Sequence, residues 1–263
     1  MSGFLETTPD GSAPDPQVVV VANNELLADT VAARTITALL DAQAARGAAH
    51  LVLTGGTIGI AVLASIAKAP GRDAVDWGNV HVWWGDERFV PADDDDRNEK
   101  QAREALLDGL MLDPGKVHAM PPSGGDFDDD VDAAAADHAR ELADHADGDN
   151  FSPAFDVLML GVGPDGHVAS LFPGLPGISV TNEGAIGVTN SPKPPPSRIS
   201  MTLPVLNGAR QVWLVASGSS KAEAIATARA PKLPPGEQRL PAGQVRGTQA
   251  TFWLLDREAA SRL

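Results

Sequence analysis

The chain has 263 residues, no cysteine and a formal net charge of −15, from 20 basic and 35 acidic side chains. This length suffices for a large α/β domain with a buried core, and an apolar content of 43 % is ordinary for a globular protein. Without cysteine there is no disulfide, no thiolate nucleophile and no cysteine-ligated metal site. The acidic charge argues against nucleic acid and anionic membranes as partners, and an anionic substrate would require a local basic cluster.

The N-terminal segment, residues 1–16, is rich in glycine, proline, serine and aspartate, and we expect it to be disordered. It lacks the basic flank and apolar core of a signal peptide, and no apolar run approaches the ~20 residues that span a bilayer. We therefore expect a cytoplasmic protein in which residues 17–263 form one α/β domain.

Strand-like and helix-like segments alternate along this domain. The predicted strands cover residues 17–22, 50–56, 80–89, 155–161, 210–217 and 250–256. The predicted helices cover residues 23–47, 57–69, 97–110, 131–146 and 219–230, the first of them capped by Asn23 or Asn24 and ended by Gly47. Several strands are continuous apolar runs, as in strands covered on both faces. The pattern predicts a Rossmann-like α/β fold, a mostly parallel central sheet with helices on both faces.

In such folds ligands bind beyond the carboxyl ends of the strands, so we expect functional residues in the loops that follow the strands. One of them holds Gly55, Gly56 and Thr57 between a strand and a helix. Glycines and a helix N-terminus suit a phosphate, because the backbone can approach closely and its N–H groups are free. A tight structural turn explains the same residues, and the lysine of a Walker loop is absent.

A second loop carries Asp86, Glu87 and Arg88 directly after an apolar strand. Arg88 suits a carboxylate or phosphate, whereas a salt-bridged structural loop is the other interpretation. The acidic segment 91–97 that follows is predicted to be a solvated surface loop.

A third loop spans Gly161 to His167 and formally matches the glycine spacing of a dinucleotide-binding turn. Its downstream acidic partner has only a poor candidate in Glu183, and Asp165 would repel a pyrophosphate. The loop is better interpreted as a turn that presents Asp165 and His167. An imidazole can act as general base and then general acid, and a nearby carboxylate can orient it.

The remaining histidines show no metal-ligand spacing, so neither a metal nor another cofactor is expected. His138 and His145, on the alanine-rich helix, are expected to face solvent. A proline-rich segment, residues 190–200, carries Lys193 and Arg198 and is either a linker or a stiff phosphate clamp.

Three blocks together resemble the 6-phosphogluconolactonase family, which belongs to the same group as glucosamine-6-phosphate deaminase. They are the segments "TGGT", "WWGDERFVP…RNEKQAREALL" and "FDVLMLGVGPDGHVASLFPG", followed by "NSPKPPPSRISMT". The resemblance extends from about residue 17 to residue 255. Two departures stand out: the glycine loop lacks the family's usual proline, and Arg97-Asn98 replaces the usual Ser-Asn pair.

The resemblance implies hydrolysis of 6-phosphoglucono-δ-lactone without metal, nucleotide or covalent nucleophile. His167 would activate water, with Asp165 orienting it and Arg88 stabilising the oxyanion. The remaining implied contacts belong to substrate binding: Gly55, Gly56, Thr57, Asp86, Glu87, Lys193 and Arg198. The partner would be the small-molecule lactone, and the protein a monomer or weak homo-oligomer.

Three other functions remain open at this point. A glucosamine-6-phosphate deaminase usually carries an acid shortly after the histidine, and residues 168–174 contain none. A non-catalytic sugar-phosphate-binding regulator would keep the fold, although the acidic charge argues against DNA binding. A nicotinamide-dependent oxidoreductase depends on the glycine spacing alone.

Overall fold

The computed structural model describes residues 14–148, 150–234, 236 and 238–263. Its strands are β1 (Gln17–Val21), β2 (Ala49–Leu53), β3 (Val80–Trp84), β4 (Asp86–Arg88), β5 (Val157–Gly161), β6 (Ala185–Val188), β7 (Arg198–Met201), β8 (Gln211–Ala216) and β9 (Ala250–Asp256). Its helices are α1 (Asn24–Arg46), α2 (Gly56–Lys68), α3 (Asn98–Ala105), α4 (Val131–Asp144), α5 (Leu203–Asn207) and α6 (Ala222–Arg229).

Six strands form a parallel sheet in the order β1-β9-β8-β5-β2-β3, with a hydrophobic core on each face. In β5, Val157 and Met159 join the core that also contains side chains of α1, α2 and α3. Leu158 and Leu160 join the opposite core, with side chains of α4, α5 and α6. An uninterrupted apolar strand places alternate side chains in the cores on both faces of the sheet. The parallel sheet with helices packed on both faces confirms the predicted fold class.

The predicted strand over residues 80–89 is wrong in one respect, because it breaks at Gly85. Residues Asp86–Arg88 leave the parallel sheet and pair antiparallel with β7, which also pairs with β6. Gly85 joins the two sheets: its N–H donates to the Leu53 carbonyl at 3.2 Å, and its carbonyl accepts from the Met201 N–H at 2.9 Å. The second sheet therefore stands directly over the carboxyl edge of the first.

Helix boundaries follow local signals closely at some ends and less well at others. Helix α1 begins where Asn23 accepts a hydrogen bond from the Leu26 N–H at 2.9 Å, and it ends at Gly47, whose φ is 79°. The predicted helix 97–110 ends at Ala105 and continues as a short 3₁₀ turn. The first turn of the predicted helix 219–230 is likewise a 3₁₀ turn.

Two expectations for the whole chain remain predictions. The first is that residues 1–16 are disordered: residues 1–13 lie outside the described residues, and residues 14–16 have no regular structure. The assignment of residues 17–263 to one domain likewise remains a prediction. Within the described parts, no helix is long and apolar enough to cross a membrane.

Candidate active site

A cavity of about 540 Å³ lies at the carboxyl edge of the parallel sheet, beneath the antiparallel one. Its walls come from the loops after β2, β5 and β8 together with β4 and β7. Of the ten residues singled out from the sequence, the ones lining it are Gly55, Gly56, Thr57, Asp86, Arg88, His167, Lys193 and Arg198. The other two, Glu87 and Asp165, contact the cavity residues from behind.

His167 and Asp165 form a close pair at the cavity wall. The imidazole Nδ1 lies 2.5 Å from the Asp165 carboxylate, and the His167 side chain is only 14 % exposed. Burial acts to raise the pKa of Asp165, but the hydrogen bond from His167, aided by Lys193, outweighs it and lowers the pKa to about 2. An ionised carboxylate at Nδ1 requires the proton on that nitrogen, which leaves the Nε2 lone pair free to act as a base.

The glycines of this loop make room for the histidine. A Cβ on Gly163 would collide with the His167 ring and with the Asp165 carboxylate. The turn closes through hydrogen bonds of 2.9 Å from the Gly166 N–H to the Gly163 carbonyl and from the Gly163 N–H to the His167 carbonyl. Gly166 itself has a φ of 79°. In this loop, which matches the glycine spacing of a dinucleotide-binding turn, Gly163 and Gly166 therefore allow the turn to pack against its own His167 and Asp165 side chains.

Glu87 is a structural anchor rather than a cavity residue. Its buried carboxylate accepts the N–H groups of Arg88 and Glu99 at 2.8 Å and of Asn98 at 2.7 Å, which fixes β4 to the first turn of α3. Burial raises the pKa of Glu87 to about 7, while Arg97 and the three N–H donors act in the opposite direction. The side chain holds the position of Arg88 in the cavity wall.

Asp86 is held by a network that includes residues without a predicted role. Its carboxylate accepts from the Ser170 hydroxyl at 2.6 Å and lies 3.9 Å from an Arg198 nitrogen. Its backbone carbonyl accepts from the Asn98 amide at 2.9 Å. The buried Asn98 Oδ1 lacks a hydrogen-bond partner within the described part of the chain, and a Cβ on Gly55 would collide with it. Asn98 lines the cavity, but its Oδ1 is enclosed and its amide N–H₂ is engaged, so its main contact is with Asp86.

Arg88 and Arg198 reach the cavity from adjacent strands but are used differently. Arg198 donates to the backbone carbonyls of Lys193, Pro194 and Pro195 at 3.1–3.2 Å, so much of its guanidinium holds the proline-rich loop in shape. Arg88 donates to the Asp96 carbonyl at 2.6 Å, while its buried Nε has no partner among the described residues. The acidic segment 91–97, predicted to be merely solvated, thus also anchors Arg88.

Two lysines complete the basic cluster that an anionic substrate would need. Lys193 Nζ lies 3.5 Å from His167 Nδ1 and 4.0 Å from the Asp165 carboxylate. Lys221, which lines the cavity just after β8, was not singled out from the sequence. Burial lowers its pKa, and the charge of Lys193 lowers it further. In the sequence it lies in the first turn of a predicted helix that follows a strand, and this position near a strand's carboxyl end was the signal available.

The N-terminus of α2 points its free amides toward the same cavity. The helix begins at Gly56, with Gly55 extended and no side-chain cap on the first amides. The Thr54 hydroxyl accepts from the Gly161 N–H at 3.1 Å and so ties this loop to the one that carries His167. Uncapped amides at a helix N-terminus favour a bound anion.

Fold and site together define a sugar-phosphate enzyme family, and comparison with known proteins agrees. The family model described as glucosamine-6-phosphate isomerases/6-phosphogluconolactonase matches residues 22–253. A 6-phosphogluconolactonase of Streptomyces coelicolor is 54 % identical over 250 residues, covering 94 % of this chain and 95 % of the relative. One of Mycobacterium tuberculosis is 44 % identical, covering 95 % and 96 %. The solved 6-phosphogluconolactonase of Trypanosoma brucei superposes with a TM-score of 0.80 at 24 % identity, over 96 % of this chain and 100 % of that one, and supports the fold.

The chain belongs to the glucosamine-6-phosphate isomerase/6-phosphogluconolactonase family. The relatives also confirm the enzyme class expected from the sequence, a carboxylic ester hydrolase of the lactonase type. The roles of individual residues follow from the geometry and are proposed below.

Proposed function

We propose that this protein hydrolyses 6-phospho-D-glucono-1,5-lactone to 6-phospho-D-gluconate, the second step of the oxidative pentose phosphate pathway. The observation that carries the proposal is the Asp165–His167 pair at the wall of a cavity lined by four cationic side chains. Lactone hydrolysis needs one base, one oxyanion site and one phosphate site, and this cavity provides candidates for each.

His167 is the proposed general base. Its Nε2 takes a proton from water as the hydroxide attacks the lactone carbonyl carbon. The tetrahedral intermediate then collapses with cleavage of the bond to the ring oxygen, which receives the proton back from His167 as a hydroxyl. Asp165 keeps the ring in the required tautomer and stabilises the imidazolium, from 2.5 Å away.

Arg88 is the proposed donor to the oxyanion. Its side chain lines the cavity, its guanidinium is held by the Asp96 carbonyl and its backbone is fixed through Glu87, so the guanidinium is preorganised before charge develops. A donor that needs no reorganisation stabilises a transition state better than a mobile one. Asp86 is proposed to bind a sugar hydroxyl, since it lines the cavity, and Asn98 is proposed to hold Asp86 in place through its backbone carbonyl.

The phosphate is proposed to bind the amides of residues 55–57 together with Lys221 and Arg198. Helix N-terminal amides and flexible ammonium groups both suit a phosphate dianion. Lys193, which lies beside the base pair, would contribute positive charge to the region between phosphate and reaction centre.

The direct test is hydrolysis of the lactone, generated in situ, by the wild type and by His167→Ala, after subtraction of the spontaneous rate. Loss of a general base should lower kcat by about 10²–10⁴-fold. His145→Ala is the matched control, because this histidine is exposed and remote from the cavity. Wild-type protein without activity above background would refute the function, whereas equal activity of His167→Ala and wild type would refute only the assigned base.

A further inference from the structure

We propose that His81, His118 and His145 form a binding site for a divalent transition metal ion, zinc being the best match, at the amino edge of the parallel sheet. These residues come from β3, from the segment after the 3₁₀ turn Pro114–Lys116, and from the end of α4. No sequence spacing relates them, which is why the sequence indicated no metal site. The proposal concerns a second site and is independent of the proposed lactonase activity.

The ligand geometry supports the site. One ring nitrogen from each histidine lies within 4.8 Å of the other two, and His81 Nδ1 is 2.9 Å from His118 Nε2. Zinc–nitrogen bonds of about 2.0–2.1 Å in a tetrahedron hold the nitrogens roughly 3.3 Å apart. A slight widening of the His81–His118 separation and an adjustment of the exposed His145 ring would bring all three nitrogens to that spacing, and solvent could supply the fourth ligand.

The hydrogen bonds behind the ligands are those typical of metal-binding histidines. His118 Nδ1 lies 2.7 Å from the Glu141 carboxylate, and His145 Nδ1 lies 2.9 Å from the Glu141 backbone carbonyl. Both rings thereby donate Nδ1–H to an acceptor, which leaves the Nε2 lone pair of each as a potential ligand. In His118 that lone pair accepts from His81 Nδ1, whose proton a bound ion would replace. Contrary to expectation, His138 is fully buried, behind the Glu141 carboxylate.

The cluster is enclosed on its inner side. His118 is only 3 % exposed, and His81 is partly buried. Trp83 stacks on His118 with ring centroids 3.7 Å apart and closes the inner side of the cluster. Lys116 is the nearby cation, and it is already bonded to the Gly78 carbonyl and the Asn79 side chain at 2.7 and 2.8 Å.

The ion would act on stability rather than on chemistry. Thr54 in the cavity wall lies four residues after His50, which stacks on His81, so about 13 Å of extended chain along β2 separates the two sites. A bound ion would tie the end of α4 to β3. Because binding to the folded state alone stabilises that state, the melting temperature should rise with metal concentration.

The test uses untagged full-length protein treated with a chelator and then titrated with Zn²⁺ by calorimetry and thermal denaturation. Co²⁺ serves as a spectroscopic probe, since a tetrahedral site gives visible absorption. We expect one equivalent to bind and the melting temperature to rise by several degrees. His145→Ala should weaken binding by about 100-fold or more, and Glu141→Gln by about 10–100-fold.

His167→Asn is the matched control, because it removes the histidine of the catalytic cavity and should bind zinc as the wild type does. Absence of saturable binding would overturn the proposal. So would binding that is abolished by His167→Asn and unaffected by His145→Ala, which would place the ion in the catalytic cavity.

Discussion

Replacing Asp165 with asparagine tests how the base is prepared. The Asp165 carboxylate lies 2.5 Å from His167 Nδ1 and keeps its charge at ordinary pH, since its pKa is lowered to about 2. Its own stabilising effect is complete above about pH 4 and disappears only as the pH falls toward 2. An acid limb of the pH–rate profile above about pH 4 is therefore not due to Asp165 and is assigned to the proposed base, His167.

The expected shift follows from the strength of that hydrogen bond. A bond to a charged partner contributes about 1.5–3 kcal/mol, and the lower end applies because Asp165 is 37 % exposed. At 1.36 kcal/mol per pKa unit, its loss should move the acid limb by about one pH unit. The direction is toward lower pH, because the imidazolium loses its counter-charge. The amide can also stabilise the wrong tautomer, so kcat should fall by about 10²-fold or more.

The assay is lactone hydrolysis across the pH range for wild type and Asp165→Asn, with circular dichroism to verify folding. Asp137→Asn is the matched control, since Asp137 pairs with Arg140 on the surface of α4. An unchanged acid limb in Asp165→Asn would refute the electrostatic role assigned to the carboxylate. A shift toward higher pH would contradict the sign of the argument.

Three further substitutions address other parts of the site. Gly163→Ala should lower kcat by about 100-fold or more, because a Cβ displaces His167; normal turnover would show that the loop can yield. Lys221→Met should raise KM for the phosphorylated lactone by about 10–100-fold and leave unphosphorylated gluconolactone unaffected, and equal effects on both would argue against a phosphate contact. Glu87→Gln should destabilise the fold by about 2 kcal/mol, or about 4–8 °C in melting temperature, because an amide N–H₂ then faces a backbone N–H; calorimetry showing no change would contradict that network.

Local patterns were enough to predict the parallel sheet and its covering helices. Strand β9 occupies the predicted residues 250–256, because an apolar run bounded by polar residues carries its own signal. Strand β7 begins at the end of a proline-rich segment that offers no such pattern, and one of its two partners, β4, is distant in sequence. The break at Gly85 depends on hydrogen bonds to Leu53 and Met201, which no local window contains.

The candidate site shows the same division between local and distant information. Asp165 and His167 stand two residues apart in a turn, so the sequence alone indicated their pairing. Lys221 and Asn98 lie within segments that look like ordinary helices, and only the tertiary fold brings them to the cavity. A sequence motif indicates the chemistry of one loop, whereas a bound substrate is enclosed by several loops.

The junction at Gly85 bears on how a substrate enters. Gly85 donates its N–H to the large sheet, and its carbonyl accepts an N–H from the small sheet. The backbone that carries Asp86 and Arg88 is therefore hydrogen-bonded to both sheets. Swinging the small sheet away would break hydrogen bonds buried in both layers. Opening the cavity by moving the small sheet as a unit would therefore cost free energy. We expect the lactone to enter a cavity whose charged wall is already in place. Diffusion toward that wall, through an otherwise acidic field, then becomes the step most sensitive to ionic strength.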